Sequence, residues 1–182
     1  MTNAELAILS LIAEQPRHGY EIAQIIEERG MRDWTEVGFS SIYYVLQKLQ
    51  KNGLIESRME RQAGRGPARK VYHITPAGRA AWRKATLEAL SLPQRCYPPL
   101  QLGLACLPSI SPSDALAALR QYRDRLLKRQ EYVHARWQSK RPLPYHVDAM
   151  FDFSLTMLEA ELHWIERFIQ HLENRERSEG GG

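Results

Sequence analysis

Apolar residues in the first third of the chain recur every three to four positions in three successive stretches, and the pattern then switches to alternation. Leu6, Leu9, Ile12 and Ala13 fall on one face, widened by Ile8 and Leu11. They predict a helix that Thr2 and Glu5 open as a capping box and Pro16 ends. A second helix follows in RHGYEIAQIIEERG, with Ile22, Ile25 and Ile26 turned inward and Gly30 as its stop. Residues 31–39, MRDWTEVGF, read as a loop. From Ser40 a third helix places Ile42, Val45, Leu46 and Leu49 on one side. Ser40, Tyr44, Gln47 and Lys51 lie opposite, and Ser41, Tyr43 and Lys48 sit on the flanks. Gly53 closes it. Two segments of period two, LIESRME and KVYHIT, are joined by a turn holding Gly64, Gly66 and Pro67, and so predict a hairpin. Thr75 and Pro76 then start a helix over about residues 76–90, showing Ala81, Trp82, Ala85 and Ala89 on one face.

A proline-rich stretch, Pro93 to Pro99, separates this half from a second one. Leu100 to Leu107 reads as a short buried helix. Ser111 caps a long helix from Pro112 to about Ser139, striped by Leu116, Leu119, Leu126, Val133 and Trp137. After Pro142 and Pro144 a last helix spans about residues 145–175. It carries Phe151, Leu155, Leu158, Leu162, Ile165, Ile169 and Leu172, and also shows Val147, Met150, Met157, Trp164 and Phe168. An apolar arc that wide needs a second neighbour, which implies dimerisation, with the first seven residues as the expected interface. The class expected is mostly α with a small β-hairpin. A winged helix-turn-helix domain over residues 1–90 precedes a long-helix domain for dimerisation and effector binding over 91–176. A polar, glycine-rich tail at 177–182 is expected to be disordered.

Charge sharpens this outline. The formal net charge is only +4 over 182 residues, yet between Ser57 and Lys84 eight basic residues face a single acid, Glu60. A local basic patch on a near-neutral protein is the footprint of a nucleic-acid binder. The first apolar run is too short to span a bilayer and has no basic flank or cleavage site, so a cytoplasmic protein without membrane contact is expected. Cys96 and Cys106 have no CxxC spacing and read as reduced, partly buried thiols.

A helix polar on one side and followed at once by a basic turn is more than a solvated surface. Ser40, Ser41, Tyr43 and Tyr44 stand at the end of the third helix where such helices meet bases and phosphates, and Gln47 and Lys48 lie further along it. Arg65, Arg69 and Lys70 in the hairpin are suited to gripping phosphate or entering a minor groove. Double-stranded DNA is the expected partner.

These stretches closely resemble the PadR family of bacterial transcriptional regulators. The matching residues are ELAILSLIAE in the first helix, HGYEI at His18 to Ile22, SIYYVLQKLQKNGLIESR from Ser41, and RGPARKVYHITPAGR from Arg65. The second half resembles the larger subfamily only in layout, with its helical dimerisation domain. The resemblance implies a dimeric repressor that binds a dyad-symmetric operator and is released by a small molecule, a phenolic acid or a drug-like compound. It carries DNA-contact roles onto Tyr20, Ser41, Tyr43, Arg69 and Lys70. Where the family often has proline after that tyrosine, this chain has Tyr44, a change that bears on operator preference.

Catalysis finds no footing. The histidines are scattered, His163 and His171 lack chelating spacing, and neither a nucleophile elbow nor a phosphate-binding loop occurs. No enzyme activity, cofactor or metal is expected. Trp82, Tyr97, Trp137, Tyr145 and His146 are candidate effector-binding aromatics near junctions, and Arg95, Arg141 or His146 would suit a carboxylate. The competing reading is a winged-helix protein–protein module without direct DNA contact.

Overall fold

Thr2 opens the first helix of the computed structural model with a reciprocal cap. Its hydroxyl accepts the Glu5 amide at 3.2 Å, and the Glu5 carboxylate accepts the Thr2 amide at 2.8 Å. The structure describes residues 1–35, 38–60, 68–93, 95 and 97–179. They form two compact units, Met1–Arg95 and Cys96–Gly182.

The first unit runs α1 (Asn3–Glu14), β1 (Arg17–His18), α2 (Gly19–Glu28), a 3-10 turn at Met31–Asp33, α3 (Phe39–Lys51), β2 (Ile55–Glu60), β3 (Arg69–Ile74) and α4 (Pro76–Ser91). Gly30 and Gly53 end α2 and α3 in the left-handed region, with φ of 63° and 69°, where a side chain would be strained. The hairpin registers Ile55 on Ile74 and Glu60 on Arg69. The two-residue β1 adds to the other edge of β3, giving the antiparallel order β1-β3-β2. That third strand has no counterpart in the sequence reading, because two residues cannot show alternation.

The width of the apolar arc on α1 now has a cause. The helix packs against α3, α4 and β3 at once, so Ile8, Leu9, Leu11 and Ile12 are all fully buried. Ile22, Ile26, Ile42, Leu46, Leu49 and Ile55 complete the core. Each contributes about 1.5–3 kcal/mol through burial. Beside them Arg17 is buried with its charge compensated. Nε donates to the Leu11 carbonyl at 3.0 Å, Nη1 to Glu21 at 2.8 Å and Nη2 to Glu14 at 3.0 Å. Glu14 also accepts two hydrogen bonds from Arg29, at 2.7 and 2.9 Å. The end of α1 and both ends of α2 are thus tied together by charge.

Thr75 caps α4. Its hydroxyl accepts the Gly78 amide at 3.0 Å and reaches the carbonyls of Gly53 and Leu54 at 2.7 and 3.1 Å. This draws the first turn of α4 onto the backbone leading into β2. A methyl on Gly78 would lie 1.9 Å from the Leu54 carbonyl oxygen.

The second unit holds α5 (Pro99–Ala105), a 3-10 turn at Leu107–Ser109, α6 (Pro112–Ser139) and α7 (Tyr145–Glu179). Ser111 caps α6 as expected. α5 is not the buried helix that its apolar run suggested: Leu102 is largely exposed, and Leu100 is half-buried against the α6–α7 core. α7 continues to Glu179, so residues 177–179, expected in a disordered tail, are helical. α6 and α7 run antiparallel. Trp137 meets Phe151 near their connection, and Arg120 pairs with Glu173 at 2.6 Å far from it. Tyr122 crosses the seam to Glu161 at 2.5 Å. Burial, followed by that hydrogen bond to a carboxylate, pushes the Tyr122 phenol up to about 12.

Candidate nucleic-acid interface

α3 turns a polar, aromatic face to solvent because its described aliphatic positions point into the core. Ile42, Val45, Leu46 and Leu49 are buried, while Tyr43 and Tyr44 are 57% and 65% exposed and Gln47 and Lys51 are open. Ser40 contributes backbone to the first turn, and its side chain lies outside the described residues. Ser41 is half-buried, and its hydroxyl donates to the Gly38 carbonyl at 2.6 Å, which fixes the start of the helix. From α2, Tyr20 is 63% exposed and its ring stacks on His18 at 6.4 Å.

Lys48 differs from its neighbours. Its Nζ lies 2.6 Å from the carboxylate of Glu5, a buried residue of α1. Burial alone would raise the Glu5 carboxyl, but the hydrogen bonds from Lys48 and the Thr2 amide outweigh it and hold the group below its ordinary value. The Glu5 hydrogen bond in turn raises Lys48. Lys48 therefore ties α3 to α1, where the sequence pattern placed it beside Gln47 among the expected DNA contacts.

Glu14 is held low as well, first by its hydrogen bonds from Arg29, then against burial and with help from Arg17. A carboxyl depressed in the folded state stabilises at pH above its unfolded value, and that gain is lost as pH falls through the folded value. The thermal midpoint should therefore fall by several degrees on acidification below about pH 4.5. Glu5→Gln combined with Glu14→Gln should flatten this dependence, as read by calorimetry across the acid range.

On the hairpin, Arg69 and Lys70 open β3 as exposed residues, with Lys70 Nζ 5.3 Å from the centre of the Tyr72 ring. Arg65, with Gly64, Gly66 and Pro67, falls outside the described residues. Arg58 is paired with Glu56 at 2.5 Å, and His73 with Glu60 at 2.6 Å. Among the described residues, the arginine and lysine of the hairpin that have no carboxylate partner, Arg69 and Lys70, thus gather at the start of β3.

In the second unit the residues expected to pair two copies do something else. Leu155, Leu162, Ile165 and Ile169 are buried within this single chain. Phe151, Leu158 and Leu172 are half-buried on the same stripe. Their spacing of alternating fours and threes is the a/d seam of an antiparallel helix pair, and α6 fills it. What stays open is a neighbouring stripe, Met150, Phe153 and Met157, with Phe153 67% exposed. Phe153 escaped the sequence reading, although its distance from both methionines carried the signal.

The aromatic candidates fare unequally. Trp82 packs against the core of the first unit. Trp137 stacks on Phe151 at 6.4 Å, donates Nε1–H to Asp148 at 2.7 Å and carries the Arg141 guanidinium 4.4 Å above its ring. Tyr145 and His146 are exposed and meet edge to face at 5.5 Å, and Tyr97 is exposed before α5. Arg95 and Cys106 are exposed too, the latter where a partly buried thiol was expected; Cys96 lies outside the described residues. Among the described residues no three His, Cys, Asp or Glu side chains are placed to hold a metal, and no helix is long and apolar enough to cross a membrane.

Comparison with known proteins places this geometry. Residues 8–84 match the model of the transcriptional regulator PadR-like family. A transcriptional regulator of Mycobacterium tuberculosis, Rv3488, is 38% identical over 76 residues, 42% of this chain. The chain spans 65% of the length of the curated relatives it matches. The crystal structure of Bacillus subtilis PadR in complex with operator DNA superposes with a TM-score of 0.73 at 19% identity, over 92% of this chain and 98% of that one. The same protein in complex with p-coumaric acid gives 0.76 at 18%, over 93% and 98%. At such identities the likeness is one of fold, and it takes in both units. Residues 8–84 of the N-terminal unit thus match the transcriptional regulator PadR-like family, on a chain whose fold, a winged helix followed by long C-terminal helices, is similar to that of Bacillus subtilis PadR.

Proposed function

We propose that this protein is a cytoplasmic, ligand-responsive repressor that binds a dyad-symmetric DNA operator as a homodimer and is released by a small molecule. One observation carries the reading: the exposed face of Tyr43, Tyr44 and Gln47 on α3, in the same unit as a hairpin strand that opens with exposed Arg69 and Lys70. The helix supplies donors, acceptors and aromatic edges for the major groove, and the hairpin supplies phosphate contacts. Tyr20, Ser40, Ser41 and Arg65 belong to the same proposed contact set. Lys48 serves it by holding α3 in place.

Pairing of two copies falls to Met150, Phe153 and Met157, since the stripe beside them is occupied by α6. Bacillus subtilis PadR has been crystallised with p-coumaric acid, which supports a phenolic acid as effector here over a drug-like compound. Trp137 is already engaged by its own Arg141 and Asp148, so Tyr97, Tyr145 and His146 are the open rings for such a ligand.

Duplex binding titrated against salt tests the DNA assignment. Arg69→Ala should weaken binding across all sequences and lower the slope of log affinity against log salt by about one. Tyr43→Ala should cost roughly tenfold or more in affinity for a selected duplex and leave that slope unchanged. A weak, salt-independent response of the wild-type protein would favour a protein–protein module instead.

A further inference from the structure

Gly19 stands at the first position of α2, directly after its cap residue His18, whose Nδ1 accepts the Glu21 amide at 3.1 Å. Its backbone does not need glycine, because the positive-φ glycines of the described residues are Gly30 and Gly53. Alanine in such a position would ordinarily be the more stable choice. The reason for glycine lies across the gap to α3. A methyl group there would come 2.9 Å from Cε1 of Tyr43 and 3.6 Å from its Cζ, with Leu46 Cδ1 also at 3.6 Å. The residue is buried, and the ring that covers it is 57% exposed.

We propose that Gly19 is a positioning residue for Tyr43: it forms the seat that fixes the tyrosine ring on the outward face of α3. The inference rests on the DNA-reading assignment made above and explains how that face is held ready. An exposed tyrosine ring free to swing loses conformational freedom on binding, and a seated one has lost it beforehand. The seat does little for folding, because the atom in its way is the far end of a mobile side chain. Gly19 therefore exchanges some helix stability for a fixed aromatic edge.

The test uses the full chain and a duplex selected from a randomised pool by the wild-type protein. Gly19→Ala should bind that duplex roughly tenfold more weakly, since a displaced ring forfeits much of one base or backbone contact. Its thermal midpoint should be unchanged or higher, and its salt slope should equal that of the wild type, because no charge has moved. In a Tyr43→Ala background the same change should have no further effect on affinity, the signature of two residues acting through one contact. Wild-type affinity in Gly19→Ala, an equal loss in both backgrounds, or a fall in midpoint that Tyr43→Ala does not relieve would each overturn the inference while leaving DNA binding standing. A wild-type protein that enriches no duplex would remove the DNA reading and this inference with it.

Discussion

Gly78→Ala should leave the N-terminal unit unable to fold as it does here, with a loss of at least ~3 kcal/mol. The added methyl would lie 1.9 Å from the Leu54 carbonyl oxygen, 2.8 Å from its carbon and 3.0 Å from Ile74 Cγ1. Two of those atoms are backbone, and that backbone is held. The Leu54 carbonyl accepts from both the amide and the hydroxyl of Thr75, and Ile55 pairs with Ile74 in the sheet. Relief would require α4 to lift from the hairpin and break its own cap. In a domain whose whole stability is of order 5–15 kcal/mol, such a change removes a large share. Urea unfolding followed by circular dichroism would measure it, and a midpoint equal to that of the wild type would show that α4 can shift freely. Gly19→Ala makes the contrast, since there the neighbour is a ring that can move.

A Phe153→Asp, Met157→Asp double variant should yield folded monomers whose operator affinity is lower by some two to four orders of magnitude. Both side chains are more than half exposed in the single chain, so charge at these positions leaves the α6–α7 seam intact. It would desolvate badly in a paired stripe. In the proposed dimer each copy would present one α3 to the duplex, and joining two raises affinity through effective concentration, which the monomer forfeits. Light scattering and a salt-matched duplex titration read the two effects separately. Leu162→Asp is the useful counterpart. That residue is buried within its own chain, so its variant should lose helical structure. A dimeric Phe153→Asp, Met157→Asp protein would place the pairing surface elsewhere.

Where local chemistry decides, the chain is plain to read. Thr2 with Glu5, Gly30, Gly53, Thr75 with Pro76, and Ser111 mark helix ends within a residue or so, because caps and left-handed stops depend on near neighbours. α3 and its outward residues were legible for the same reason: one helical period sorts Ile42, Val45, Leu46 and Leu49 from Tyr44 and Gln47. What escaped depends on distant partners. Nothing near Lys48 announces Glu5, and nothing near Gly78 announces the Leu54 carbonyl. On α7 the period shows two apolar stripes without saying which one α6 will take. The longer and more regular stripe went inward, and the shorter one, completed by Phe153, was left outside.

The ion pair between Lys48 and Glu5 bears on how such a protein would search a chromosome. Ordinary DNA attracts a protein through phosphate charge alone, and on α3 one cation is already answered by its own carboxylate. The reading helix of the proposed complex is therefore left with Lys51 alone for the grip on unrelated sequence, and more of that grip falls to the cations of the hairpin. Tyr43, Tyr44 and Gln47 gain only where the bases suit them. Encounters with the wrong sequence should be brief, and the time saved is available for scanning.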